Sequence, residues 1–240
     1  MTRLKTAAIE RRSHQEYFNI AVSVDCVIFS YSEKALQVLL IKSDLEEFEG
    51  MYSLLGDLVR PDEDLEEAPY RVLQERTGLH DVYLEQVHTF GNINRHPSGR
   101  VITTAYFSLI NIRNTRLQIT QHDVSWHDVA KIKSLAFDHK IILQTCLSQL
   151  QEKVMEHPIV FNLLPEKFSL RELQDLYEAI LGIELDRRNF RKRIMAKDWL
   201  DDLNEMEEDV PHRPGKLYTL KSSLRKHVPA SVKVEQKLAV

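Results

Sequence analysis

The sequence predicts an α+β chain of two domains, residues 1–155 and 156–240, and three observations carry that reading. Runs rich in β-branched and aromatic residues fill the first half, separated by turns and a few helical stretches. Two amphipathic helices joined by a short Gly-containing turn dominate the second half, which is the pattern of a helix-turn-helix. The charge is also divided. Asp44 to Glu67 is acid-rich with Arg60 its only base, whereas Arg187 to Lys197 holds Arg187, Arg188, Arg191, Lys192, Arg193 and Lys197 without an acid among them.

The elements follow in order. Phe18 to Ser30 reads as strand, Tyr31-Ser32-Glu33-Lys34 as a turn, and Leu36 to Ile41 as the returning strand. Leu65 to Thr77 is helical and ends at Gly78, a residue suited to a left-handed C-cap. Tyr83 to Phe90 and Val101 to Ile112 read as further strands, and the turn-rich Gly91–Gly99 between them is the expected rim of a pocket. His139 to His157 closes the domain as a helix with Ile141, Ile142, Leu143, Leu147, Leu150 and Val154 as its apolar positions, and Pro158 marks its stop.

In the second half Ser169 and Glu172 form a capping box, after which Leu170, Leu173, Leu176, Tyr177 and Ile180 recur at helical spacing up to Gly182. Asp186 is placed to cap a second helix running to Lys197, with Phe190, Ile194 and Met195 as its buried stripe and the cations opposite. Trp199 to Leu203 and Lys216 to Leu220 then read as the arms of a wing. At 240 residues the chain is long enough for one core of about 150 residues plus a smaller second one.

Composition excludes several classes. Cys26 and Cys146 are the only cysteines, which suits reduced, buried thiols and not a disulfide framework. The basic Lys5, Arg11 and Arg12 lead into no apolar stretch of the kind a signal peptide needs, and nothing approaches the roughly 20 apolar residues of a membrane span. A cytoplasmic protein without a membrane partner is expected.

From Asp57 onward the chain resembles the Nudix box, the loop-helix-loop G-x5-E-x7-R-E-U-x-E-E-x-G-U in which U is bulky and aliphatic. Asp57 stands at its first Gly, and Glu63, Arg71, Leu73, Glu75 and Gly78-Leu79 match in register. The resemblance implies an α/β/α sandwich. It also implies three helix carboxylates that hold Mg²⁺ against a pyrophosphate, at the positions of Val72, Glu75 and Arg76. Here an isopropyl group and a guanidinium replace two of them. Pro69 is expected to loosen or kink the helix. The domain therefore reads as non-catalytic: no catalytic residue, no metal and no cofactor are assigned, and an active Mg²⁺-dependent hydrolase of ADP-ribose or a nucleoside diphosphate sugar is the alternative.

Joined to Phe168–Gly182 and Leu185–Ile194, this domain resembles the Nudix-related transcriptional regulators over nearly the whole chain. The resemblance implies a winged helix-turn-helix, a homodimer on a roughly palindromic double-stranded operator, and a small effector that releases the DNA. Members respond to ADP-ribose-type metabolites or, in one branch, to a sugar such as L-arabinose, and the degenerate box makes the sugar the first expectation. Arg187, Arg188, Asn189 and Arg191 lie in the first turns of the recognition helix, where Arg pairs with guanine and Asn with adenine. Lys192, Arg193, Lys197 and, on the wing, Arg213 and Lys216 are expected at phosphates. For the effector, position in the fold nominates Asp57, Glu75, Arg76, Arg95, His96 and Tyr106; His88 and Trp126 are further candidates, although a lone His or Trp in such a domain is more often a packed core group.

Overall fold

The computed structural model describes residues 19–80, 82–112, 124–208, 211 and 213–225. Its first half is built on a seven-stranded sheet of β1 (Ala21–Ser32), β2 (Ala35–Lys42), β3 (Tyr52–Ser53), β4 (Leu55–Leu58), β5 (Glu85–Phe90), β6 (Val101–Leu109) and β7 (Val124–Asp128). The strand order is β3-β2-β1-β6-β5, with β4 also paired to β1 and β7 to β2. β1 and β6 run parallel and the other pairs antiparallel. The β1–β2 hairpin turns through Glu33 and Lys34, both at positive φ (50° and 61°); this two-residue geometry matches the right-handed twist of the strands it joins.

Successive side chains of a strand point to opposite faces, so β1 serves two cores. Val24, Cys26 and Ile28 face α1 (Ala68–Thr77), whose Val72 and Leu73 complete that cluster. Val27, Phe29 and Tyr31 face the other way, in one cluster with Ile142, Leu143, Cys146 and Leu150 of α2 (His139–Val154). Helices on both faces make the α/β/α sandwich.

The second half contains β8 (Phe168–Ser169), α3 (Leu170–Leu181), α4 (Arg187–Ala196), β9 (Leu200–Met206), β10 (Lys216–Leu220) and the single turn α5 (Ser222–Arg225). The capping box is present: Glu172 N donates to Ser169 Oγ (3.3 Å) and Ser169 N donates to the Glu172 carboxylate (2.9 Å). Gly182 ends α3 at φ 69°, and β8, β10 and β9 form the small sheet of a winged helix.

Where two cores were expected, the structure joins them. One apolar cluster runs from Phe29, Val38 and Leu40 through Val154, Val160 and Phe161 to Leu173, Tyr177, Phe190 and Leu220. The reason is geometric. α2 covers only part of its sheet face, and α3 packs on both α2 and β2 to cover more. Asn111 Nδ2 donates to the Leu164 carbonyl (2.9 Å), Gln151 Nε2 to the Ile180 carbonyl (2.8 Å), and Lys34 pairs with Asp175 (2.9 Å) across the same seam.

Other expectations need correction. α1 starts at Ala68 and not at Leu65, which puts Pro69 in the first turn, where a helix has no acceptor for its N–H and no kink is required. α2 stops at Val154, and a 3-10 helix, Pro158–Leu163, follows. β3, β4, β7 and β8 were not anticipated; two of them are only two residues long, and Gly56-Asp57 within β4 reads as a turn. Met195 is 51% exposed and not part of the α4 stripe. Phe190 and Ile194, four residues apart, face the core, and the next residue lies about 100° further round the helix. Phe18 and His212, together with the basic Lys5, Arg11 and Arg12, lie outside the described residues.

Candidate functional site

Beyond the Phe29–Val38 pair β1 leaves β2 and takes β4 as its partner from Cys26 to Ser23. At this split lies a cavity of about 250 Å³, walled by Ser23 and Asp25 of β1, residues 41–45 after β2, residues 53–58, Arg76, Arg95, His96, Phe137 and His139.

Its floor is a buried polar network centred on Asp25, which is 4% exposed. Thr103 Oγ1 donates to Asp25 Oδ2 (2.8 Å), and an Arg95 guanidinium nitrogen lies 3.3 Å from the same oxygen. Arg95 also donates two hydrogen bonds to Asp138, at 2.9 and 3.0 Å. Leu54 N donates to His139 Nδ1 (3.0 Å), so the ring proton sits on Nε2, 3.3 Å from Asp25 Oδ1. Burial disfavours the imidazolium and lowers the His139 pKa against the opposing pull of Asp25 and Asp138. The site is tightly fitted: a Cβ on Gly56 would lie 2.3 Å from Asp25 Oδ1 and 2.7 Å from the Val24 carbonyl.

One wall is aromatic. Phe137 adopts φ 55°, a left-handed conformation that non-Gly residues adopt only under constraint. Its ring stacks on His96 (centroids 5.1 Å apart, planes 18° apart) and meets Phe48 at 4.4 Å and His139 at 4.8 Å. Burial, and next the neighbouring Arg95 charge, lower the His96 pKa. A neutral stacked ring pair beside a fixed array of donors and acceptors suits a planar or sugar-like ligand.

Beside the cavity, Arg71 of α1 organises the preceding loop. It grips Glu63 with two hydrogen bonds (2.6 and 2.7 Å), reaches Asp57 (3.2 Å) and Glu75 (3.3 Å), and donates to the Leu58 carbonyl (2.9 Å). The hydrogen bonds from Arg71, more than the backbone donor at Arg60, hold the Glu63 carboxyl far below its usual 4.5, at about 2.

Of the six effector residues expected, Asp57, Arg76, Arg95 and His96 line the cavity. Glu75 does not; it is turned to Arg60 (3.0 Å) and Arg71. Tyr106 also stands elsewhere. It is 5% exposed and in register with Cys26, which places it on the α1 face of the sheet, away from the Asp25 face. His88 is exposed with its ring against Phe90, and Trp126 packs at the edge of the α1-side core. Asp25, Asp138, His139, Phe48 and Phe137 went unrecognised in the sequence. One signal existed: Asp25 is a lone acid in the apolar run from Val22 to Phe29.

The residues at the three metal-ligand positions of the box do not fit a divalent ion. Val72 is 1% exposed inside the apolar cluster, Glu75 is committed to two arginines, and Arg76 presents a cation. Among the described residues no group of three His, Cys, Asp or Glu side chains is placed to hold a metal.

The second candidate surface is α4. Asp186 caps it, its side chain accepting from Asn189 N (2.8 Å). With Phe190 and Ile194 buried, Arg187, Arg188, Asn189, Lys192 and Arg193 are exposed. Their side chains make no hydrogen bond or ion pair among the described residues. The other four expected cations differ. Arg191 is half-buried with Nε unpartnered, Lys197 pairs with Glu156 (2.6 Å) and lies over the Trp199 ring, Lys216 pairs with Asp202 (2.7 Å), and Arg213 is exposed but engaged within the chain.

A sheet split around a polar cavity, a box helix on one face and a winged helix seated on the other define a two-module protein. Its first module has the Nudix architecture. Comparisons agree on both halves. Residues 19–146 match the Nudix domain family, and residues 160–220 match the NrtR DNA-binding winged helix domain. The chain is 33% identical over 218 residues to the ADPR responsive transcriptional repressor NtrR of Acinetobacter baylyi, covering 88% of this chain and 86% of that one. It superposes with TM-score 0.72 on Shewanella oneidensis NrtR complexed with a 27mer DNA, at 32% identity over 85% of this chain and 95% of that one. The Nudix domain of Shewanella oneidensis NrtR complexed with ADP ribose aligns at TM-score 0.52 and 30% identity, over 58% of this chain and 94% of that one. The chain belongs to the NrtR-like family, a Nudix domain followed by a C-terminal winged helix DNA-binding domain. These relatives are named for ADP-ribose, and none of them supports the expected arabinose branch.

Proposed function

We propose that this chain is a transcriptional repressor that binds operator DNA through α4 and its wing and releases it when ADP-ribose occupies the cavity. The observation that carries the reading is the outer face of α4. Arg187, Arg188, Lys192 and Arg193 are exposed and unpaired among the described residues, whereas Lys197 and Lys216 have acidic partners. Unpaired cations around an exposed Asn189 on a capped helix suit a major groove bounded by phosphates. The named ligand of the Acinetobacter and Shewanella relatives supports ADP-ribose over a sugar. The stacked Phe137–His96 pair is a surface on which such a ligand can lie.

Binding, not hydrolysis, is the role the cavity suits, because the box positions offer no carboxylate set for a metal. A homodimer on a two-fold site and a place in the cytoplasm belong to the same proposal; no helix among the described residues is long and apolar enough to cross a membrane. Effector release requires ADP-ribose to favour one arrangement of the winged helix over another, since equal affinity for both shifts nothing.

The test uses the full chain and a duplex selected from a random pool. Wild type is expected to bind it with steep salt dependence and to release it on addition of ADP-ribose but not of L-arabinose. Arg187→Ala and Arg188→Ala should each weaken binding by about 1–3 kcal/mol. Failure to enrich any duplex at low ionic strength would refute the DNA half, and release by arabinose alone would refute the effector.

A further inference from the structure

We infer that Arg76 holds the phosphate groups of the effector where a hydrolytic Nudix domain would place a divalent cation, so that this cavity takes a phosphorylated ligand without any metal. The inference rests on the ADP-ribose reading and identifies the group that reads the ligand's charge.

An anion entering a partly closed cavity loses hydration and needs a counter-charge there. The charges of the wall are mostly spent. Asp25 is met by Arg95, and Arg95 is shared with Asp138. Asp57 is met by Arg71, and Asp44 stands exposed at the rim. Lys42, also on the rim, already has an interaction within the chain. Arg76 differs from the other cations of the wall. It is half-buried, lines the cavity, and makes no hydrogen bond or ion pair among the described residues. A guanidinium presents donors in a planar fork that fits two phosphate oxygens at once. Arg76 is therefore a cation on this wall that no acid among the described residues compensates, which leaves its guanidinium available to an incoming anion.

The divalent ion does not fit here for a related reason. Val72, at the first carboxylate position of the box, is packed into the apolar cluster and cannot be exchanged for water or metal without opening that core. A cation supplied covalently by the chain needs no metal to be recruited and leaves no metal-bound water to attack the phosphate. Lack of a metal and retention of phosphate recognition then follow from two replacements in the box, Val72 and Arg76. Arg76 also occupies the last turn of α1, where the helix dipole favours any cation. The deciding measurement is therefore ligand affinity and not stability.

Calorimetric titration of the full chain with ADP-ribose, in excess chelator and again in excess Mg²⁺, tests the inference. Wild type should bind equally in both. Arg76→Gln should lose about tenfold to a hundredfold in affinity in both, and Arg76→Lys should recover part of that loss, with unfolding midpoints showing that each variant is folded. Wild-type binding abolished by chelator, or binding unchanged in Arg76→Gln, overturns the inference and leaves the ADP-ribose reading standing. No wild-type binding with or without Mg²⁺ overturns the ADP-ribose reading and this inference with it.

Discussion

Asp25 and Arg71 show how single side chains shape this molecule. Asp25 is the one charged residue of β1, and its burial is tolerable because Thr103, Arg95 and His139 surround it. Those partners come from β6, the Gly91–Gly99 loop and the start of α2, so one acid ties three remote segments to the cavity floor. Arg71 does the same for the box loop through Glu63, and here the sign of the pH effect can be worked out. The Glu63 carboxyl is depressed from its usual 4.5 to about 2. Its stabilising contribution is therefore complete above the unfolded value and lost as pH falls towards 2. Glu63→Gln should be less stable than wild type at neutral pH, and the gap in urea midpoint should close between pH 4.5 and 2. A gap that stays constant through that window would mean that the ion pair does not form.

At the scale of the element, α4 combines a structural and a recognition role at its first turn. Asp186 caps the helix but places a negative charge beside Arg187 and Arg188, where a polyanion is to dock. The two effects separate by substitution. Asp186→Ala should lose about 1 kcal/mol of stability with the cap. Asp186→Asn keeps a capping oxygen and removes the charge, so its thermal midpoint should stay close to wild type while duplex affinity rises. Equal stability of the Ala and Asn variants would show that the cap contributes nothing measurable. α1 makes a complementary point. Its Pro69, which looks disruptive in a row of letters, costs nothing because the helix begins one residue earlier.

For the whole molecule the continuous apolar cluster matters most. α3 packs against both α2 and β2, and α2 begins at Asp138 and His139 in the cavity floor. One helix thus touches the cavity at its start and the winged helix further along, where Gln151 reaches the Ile180 carbonyl. This is a physical route by which an occupied cavity can bias the position of α4. A shared core also predicts cooperative unfolding: calorimetry of the full chain should give a single transition whose van't Hoff and calorimetric enthalpies agree. Two resolved transitions would show that the halves fold as separate units and that the seam is a weak contact.

Much of this was legible in the letters because it depends on local rules. Hydrophobic periodicity, the Ser169–Glu172 box, the Asp186 cap, Gly78 and Gly182 as helix ends, and the register of Glu63, Arg71 and Glu75 are set by neighbours a few residues apart. Local rules could not show which side of the sheet Tyr106 takes, since one residue of strand register decides it. Nor could they show that Asp25 meets His139, that Phe137 is held at positive φ, or that the two halves share a core. Those facts depend on segments remote in sequence being packed together, which burial of both faces of the sheet and the network around Asp25 bring about.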